Sequence, residues 1–205
     1  MLEDITEEEP VDVSGMAKIL RDRSGLNHSD IGMGNEKAVN QLIAHHSVIF
    51  EPGKRLVWVS NGPWQIGGYT CYDIVKIFHN FAALRQRTEI SETKLSIAPD
   101  VFLNSGGYQQ FSRFREMRKE LKSRNKQGVK TSLQRSYIRE LISTNPGFFE
   151  VYSLAGDYFS GENQPDSASR YYRMALGKVI PRQNEKQKII EKLADCIVLM
   201  KKKKT

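Results

Sequence analysis

Two cysteines, Cys71 and Cys196, are too few for a disulfide framework and leave room for one bridge at most. No apolar run reaches the ~18 residues that a membrane span needs. A secretory signal opens basic and continues apolar, whereas the first twelve residues here hold six acids and no base: Glu3, Asp4, Glu7, Glu8, Glu9 and Asp12. With 39% apolar and 27% charged residues, the chain is neither collagen-like nor disordered throughout. Its 205 residues suit one compact domain, or a small domain with a helical extension. The compartment is not fixed by these features. The cytoplasm is the default, and export follows if a longer parent carries a signal upstream.

Basic charge is what the chain has in excess. After residue 12 there are 31 bases against 18 acids. Arg113, Arg115, Arg118, Lys119, Lys122, Arg124 and Lys126 face only Glu116 and Glu120, and Lys201 to Lys204 approach the end. Such a field attracts phosphate or anionic surfaces, but a solvated helix face with a frayed tail accounts for it as well. No base-reading motif or zinc-finger spacing supports a nucleic-acid partner.

Residues 1–13 read as a flexible acidic leader. Met16, Ile19 and Leu20 predict a short helix over 15–23, with Ser14 as its cap. Gly25 to Gly34 reads as a loop. Asn35 can cap a second helix with the stripe Val39, Leu42 and Ile43. Ser47-Val-Ile-Phe50 and Leu56-Val-Trp-Val59 are β-rich runs and are expected as strands, separated by Glu51-Pro-Gly-Lys54, where Pro52 and Gly53 fit the centre of a type II turn. Both strands are apolar on both faces, as in strands covered on two sides. Two strands cannot bury themselves, and the rest of the chain offers few more, so this hairpin calls for a larger sheet.

A helix is expected over 72–87, with Ile74, Phe78 and Phe81 or Ala82 on one side, then irregular chain over 91–107. From about 108 the pattern is helical, over 108–124, 131–143, 147–160, 166–179 and 183–200. Leu154, Ala155, Tyr158, Ala168, Tyr172 and Ala175 match tetratricopeptide small and aromatic positions, with one extra residue in the turn Gly161 to Asp166. Leu141 and Pro146 would close a preceding half-unit, and 189–200 would be a closing helix. An ordinary helical hairpin explains the same pattern.

Chemistry is sparsely marked. His45 and His46 are adjacent, so on a strand they point to opposite faces. His28 and His79 add no ligand spacing, and no metal or organic cofactor is expected. Gly32-Met-Gly34 before a helix resembles a phosphate loop but lacks a third glycine and a preceding strand. Ser105 with Gly106 and Gly107 reads as plain loop. Cys71 has nothing nearby in sequence to lower its pKa and reads as structural.

The block Ile31-Gly-Met-Gly-Asn-Glu-Lys-Ala-Val-Asn-Gln-Leu-Ile-Ala-His-His-Ser-Val-Ile-Phe50 is distinctive, as are Leu56-Val-Trp-Val-Ser60, Pro63-Trp-Gln-Ile-Gly67 and Tyr72-Asp73. Together they resemble the C-terminal part of the C45 peptidase and acyl-coenzyme A:6-aminopenicillanic acid acyltransferase family. Those proteins are N-terminal-nucleophile hydrolases, similar to choloylglycine hydrolases. The resemblance is good over about 14–80 and weaker beyond.

It implies an α+β fold: part of a four-layer αββα sandwich over 14–95, as a β-hairpin plus helices. An all-α helical-hairpin tail over 96–205 would follow, tetratricopeptide-like from about 130. The missing layers would supply the hairpin's partner. The resemblance also implies a cysteine nucleophile, exposed by autoproteolysis, that attacks an amide or acyl carbonyl. That cysteine falls upstream of the matching residues, so no catalytic residue carries over. His45, His46, Ser60, Asn61 and Trp64 could line a pocket, each with a structural explanation beside it. Expected partners are the rest of the hydrolase domain, an acyl or amide small molecule, and a protein at the helical tail. The rival reading is a non-catalytic helical interaction module.

Overall fold

The structure is a computed structural model describing residues 11–79, 89–127 and 135–202, and of 125–127 the backbone alone. Leader residues 1–10, the stretch 80–87 with Phe81 and Ala82, the helix start expected at 131–134, and Lys203 and Lys204 lie outside the described residues. The architecture is α+β: a three-stranded antiparallel sheet and, among the described residues, seven α-helices. None of these helices is long and apolar enough to cross a membrane. The chain divides into two compact units. A sheet unit holds the described residues up to Ser29 with Ala38–Ser105, and a helical unit holds Asp30–Lys37 with Gly106 onwards.

The sheet unit opens with α1 (Val13–Leu20). Its cap is Asp12, whose carboxylate accepts from Gly15 N at 2.6 Å, two residues before the expected Ser14. Strands β1 (Val48–Glu51), β2 (Leu56–Ser60) and β3 (Tyr69–Asp73) lie in that order. Ile49 pairs with Trp58, and Trp58 with Cys71. Side chains alternate across a strand, so Ile49, Trp58, Cys71 and Tyr69 share one face. They form a core with Ala17 of α1. Arg21, just past α1, locks the helix down by donating from Nη2 to Gly67 O at 2.7 Å and Ala98 O at 2.9 Å, with its guanidinium over the Tyr69 ring.

Three expectations for this unit are corrected. First, no helix follows Asn35. Its Oδ1 accepts from Lys37 N at 3.0 Å, and Asn40 Oδ1 accepts from Leu42 N at 2.8 Å. These local side-chain bonds offer the backbone an alternative to helix, and Leu42 has φ 52°. Leu42 is buried while Val39 and Ile43 are exposed, so their spacing does not mark a helix face.

Second, the β1–β2 turn is not type II, because Gly53 is outside the left-handed region. Glu51 O accepts from Lys54 N at 3.1 Å and Pro52 O from Arg55 N at 3.1 Å, and Arg55 takes the positive φ of 56°. Third, Tyr69–Asp73 is a strand, so the helix read over 72–87 starts later, as α2 (Ile74–His79).

The helical unit holds α3 (Gly106–Gln127), α4 (Arg135–Thr144), α5 (Phe149–Gly161), α6 (Pro165–Leu176) and α7 (Gln183–Lys202). Phe111, Phe114, Met117 and Leu121 recur at helical spacing on α3 and are buried. The α5–α6 hairpin closes on small residues. Ala155, Ala168 and Ala175 are buried with Leu154 and Tyr172, and Tyr158 is the half-buried member of the set.

Segment 30–37 belongs to this unit by specific contacts. Asn145 pairs with both backbone groups of Met33, Asn35 Nδ2 donates to Ile31 O and Val179 O, and Glu36 pairs with Arg182. Gly32 has φ 81°, and a Cβ there would lie 2.3 Å from Phe148 N. Gly32, the first of the two glycines that resemble a phosphate loop, therefore serves a close backbone crossing.

Candidate functional site

The sheet places most of the candidate pocket residues at one end of β2 and β3. Ser60 is buried, and its hydroxyl accepts from Ser47 N at 2.7 Å. His46 Nδ1 lies 3.3 Å from Ser60 O, not from the hydroxyl. The imidazole is therefore not aimed at the Ser60 proton, and the pair is not a serine–histidine dyad. Gln65 Nε2 donates to His46 O at 3.3 Å, and Asn40 Nδ2 donates to Trp64 O at 3.1 Å. Asn61 exchanges bonds with the Thr70 hydroxyl at 3.1 and 3.3 Å. His45 is exposed beside this group.

Tyr69 and Ser47 complete the cluster, their hydroxyls 2.5 Å apart. The sequence does not mark this pair, because their contact depends on β3 lying beside β2. These bonds tie strand ends to loops (Ser60 to Ser47, Thr70 to Asn61) or loop to loop (Asn40 to Trp64, Gln65 to His46), so the polar groups act as fasteners.

Cys71 sits in the sheet core with its thiol pushed up, first by burial and then by Glu92, Asp73 and Glu51. A thiol nucleophile needs the opposite shift. Among the described residues no group of three or more His, Cys, Asp or Glu side chains could hold a metal.

The sheet's two outer edges differ. At β3, Tyr69 and Ile97 exchange both backbone bonds at 2.9 Å, Glu92 N donates to Cys71 O at 2.8 Å, and Ser96 Oγ accepts from Cys71 N at 3.1 Å. That edge is covered. At β1, Ser47 O accepts from Ser60 N at 2.9 Å. Antiparallel bonding alternates, so residues 47, 49 and 51 turn their backbone to β2, while Val48 and Phe50 turn theirs outward. Among the described residues no backbone group pairs with that outer row.

The same two side chains stand on the face away from α1. Phe50 is 70% exposed and Val48 42%. A groove of about 580 Å³ borders the β1–β2 hairpin on the α1 side, walled by Val13, Met16, Ile49, Leu56 and Leu95. An unpaired edge beside two bare apolar side chains is the template for another strand.

Comparison with protein families, curated proteins and solved structures finds no match to this chain.

Proposed function

We propose that the chain is the C-terminal portion of a cysteine N-terminal-nucleophile amidohydrolase or acyltransferase acting on linear amide bonds, with its nucleophile in upstream sequence. The unpaired outer edge of β1, with Val48 and Phe50 bare beside it, carries this reading. A strand of an αββα sandwich has neighbours on its edge and on its face. The β3 side has such a neighbour and the β1 side has none among the described residues. The distinctive block over 31–73 adds the family resemblance.

In the whole enzyme the sheet unit would extend one sheet and help wall the acyl pocket. The chemistry would be attack of a cysteine thiolate on an acyl carbonyl, expulsion of the amine, and transfer of the acyl group to water or another amine. The groove along α1 offers apolar wall for an acyl chain.

Expression of the native open reading frame, followed by intact-mass and N-terminal analysis, tests this. The expected product extends upstream of Met1, carries a processed N-terminal cysteine, and releases amines from N-acyl amides. A frame that opens at Met1 would overturn it.

The α5–α6 hairpin favours a second reading, a tetratricopeptide-like interaction module. Its buried alanines and Tyr172 stand at that motif's spacing, and α7 packs against α6. Helix pairs of this kind need stacked neighbours. Retention of a partner by a chain whose frame opens at Met1 would favour the module.

A further inference from the structure

A groove on the helical unit gathers three arginines and no acid. It is lined by Arg135 and Arg139 of α4, Arg170, Ser167 and Tyr171 of α6, and Phe159 of α5. Arg135 and Arg139 are one helical turn apart and so share a face. Phe159 and Tyr171 stack with centroids 5.3 Å apart and planes 4° from parallel. The volume is about 280 Å³, enough for one or two side chains.

Elsewhere in this unit many cations are matched. Arg113 pairs with Glu140, Arg118 and Lys122 with Glu150, Arg124 with Glu120, Arg182 with Glu36, and Lys192 with Asp157. No such ion pair among the described residues involves Arg135, Arg139 or Arg170. Three like charges around one groove repel one another. A bound carboxylate pair would relieve that repulsion, and guanidinium forks match carboxylates in geometry.

We propose that this groove binds an acidic peptide segment, with carboxylates on Arg135, Arg139 and Arg170 and an aromatic side chain resting against the Phe159–Tyr171 pair. A phosphodiester backbone fits less well. It needs a continuous basic track, whereas this groove sets its three cations beside a stacked aromatic pair. This inference is independent of the hydrolase reading, and neither outcome of that test bears on it.

The experiment is fluorescence anisotropy on the full chain with a fluorescein-labelled peptide, Glu-Glu-Trp-Glu-Glu, and a second peptide with alanine for tryptophan. The paired substitution R139Q and R170Q should weaken binding about tenfold or more, as for paired charges at an interface. The equal charge removal R115Q and K119Q on α3 should leave it within about twofold. Tyr171→Ala should weaken the tryptophan peptide and spare the alanine one. Far-UV melts establish that each variant folds.

A readout on the unaltered chain needs no variant. The tryptophan peptide should slow phenylglyoxal modification of Arg139 and Arg170 and not of Arg115. Equal loss in both charge-removal variants would show a diffuse field and overturn the site. So would absence of binding, or equal competition by a single-stranded oligonucleotide of matched charge.

Discussion

Asn145 holds Met33 by both of its backbone groups. The Nδ2 atom donates to Met33 O at 2.8 Å, and Oδ1 accepts from Met33 N at 2.9 Å. The two residues are 112 apart in sequence, and Asn145 is buried. A side-chain amide thus bonds segment 30–37 as a neighbouring strand would. Asn145→Ala leaves a donor and an acceptor of Met33 without their partner, at a cost of about 2–3 kcal/mol. Asn145→Asp keeps the acceptor, loses the donor and sets a carboxylate against Met33 O, so it does no better. Urea titration followed by far-UV circular dichroism checks both.

The helical hairpin makes a different demand. A Cβ on Gly156 would lie 2.4 Å from Tyr172 Cε1. The ring cannot retreat, because it is buried and its hydroxyl donates to Asp157 Oδ1 at 2.8 Å. Gly156→Ala gains about 1 kcal/mol of helix propensity but overpacks the hairpin, for a net loss of about 1–3 kcal/mol. Gly161→Ala meets open space and is neutral or mildly stabilising in the same melt.

Legibility followed the range of the forces involved. The α5–α6 hairpin could be read because small residues at fixed spacing are a local record of close helix packing. The β1–β2 hairpin could be read because its runs are β-rich and flank Pro-Gly. Strand β3 was hidden because Tyr72-Asp73 runs directly into Ile74 and helix. The alternation of Tyr69, Thr70, Cys71 and Tyr72 after two glycines was the available signal.

The helix expected after Asn35 failed for a cause that local periodicity does not carry. Side-chain amides of Asn35 and Asn40 took the backbone bonds that a helix would have used. At the strand ends, sequence brought His46 and Ser60 to notice together. Only the fold shows the imidazole aimed at a carbonyl.

Glu185 supplies a pH-dependent test. Its Oε2 is buried with no hydrogen-bond partner among the described residues. Burial, then Glu36 and Glu150, push its carboxyl up, while Arg182 and Lys122 oppose them. The folded state therefore holds this proton to a higher pH than the unfolded chain does. Above the raised folded pKa both states are ionised, and the fold carries the whole cost of the buried charge. As pH falls through that value toward the ordinary carboxyl range the cost disappears. Glu185→Gln should raise Tm by ~1–3 °C at pH 7, with the gain shrinking to nothing near pH 4. A gain that persists undiminished at pH 4 would assign it to packing rather than to charge.

The outer edge of β1 makes the last prediction. Among the described residues, Val48 and Phe50 present unpaired backbone groups and bare side chains on the same short strand. Such an edge recruits another strand wherever one is available. In the chain on its own the nearest supply is a second copy, so sedimentation should show self-association that grows with concentration. Val48→Lys with Phe50→Lys puts two charges on the edge and should return a monomer. Because both side chains are exposed, Tm should change little. Leu26→Lys, at a residue 79% exposed and outside the strands, serves as control and should leave association intact. If the chain sediments as a monomer up to millimolar concentration, the edge is already satisfied. The observation that supports an upstream partner strand is then lost. If association is abolished by the edge lysines and not by the control, β1 is an open strand, as the proposed sandwich requires.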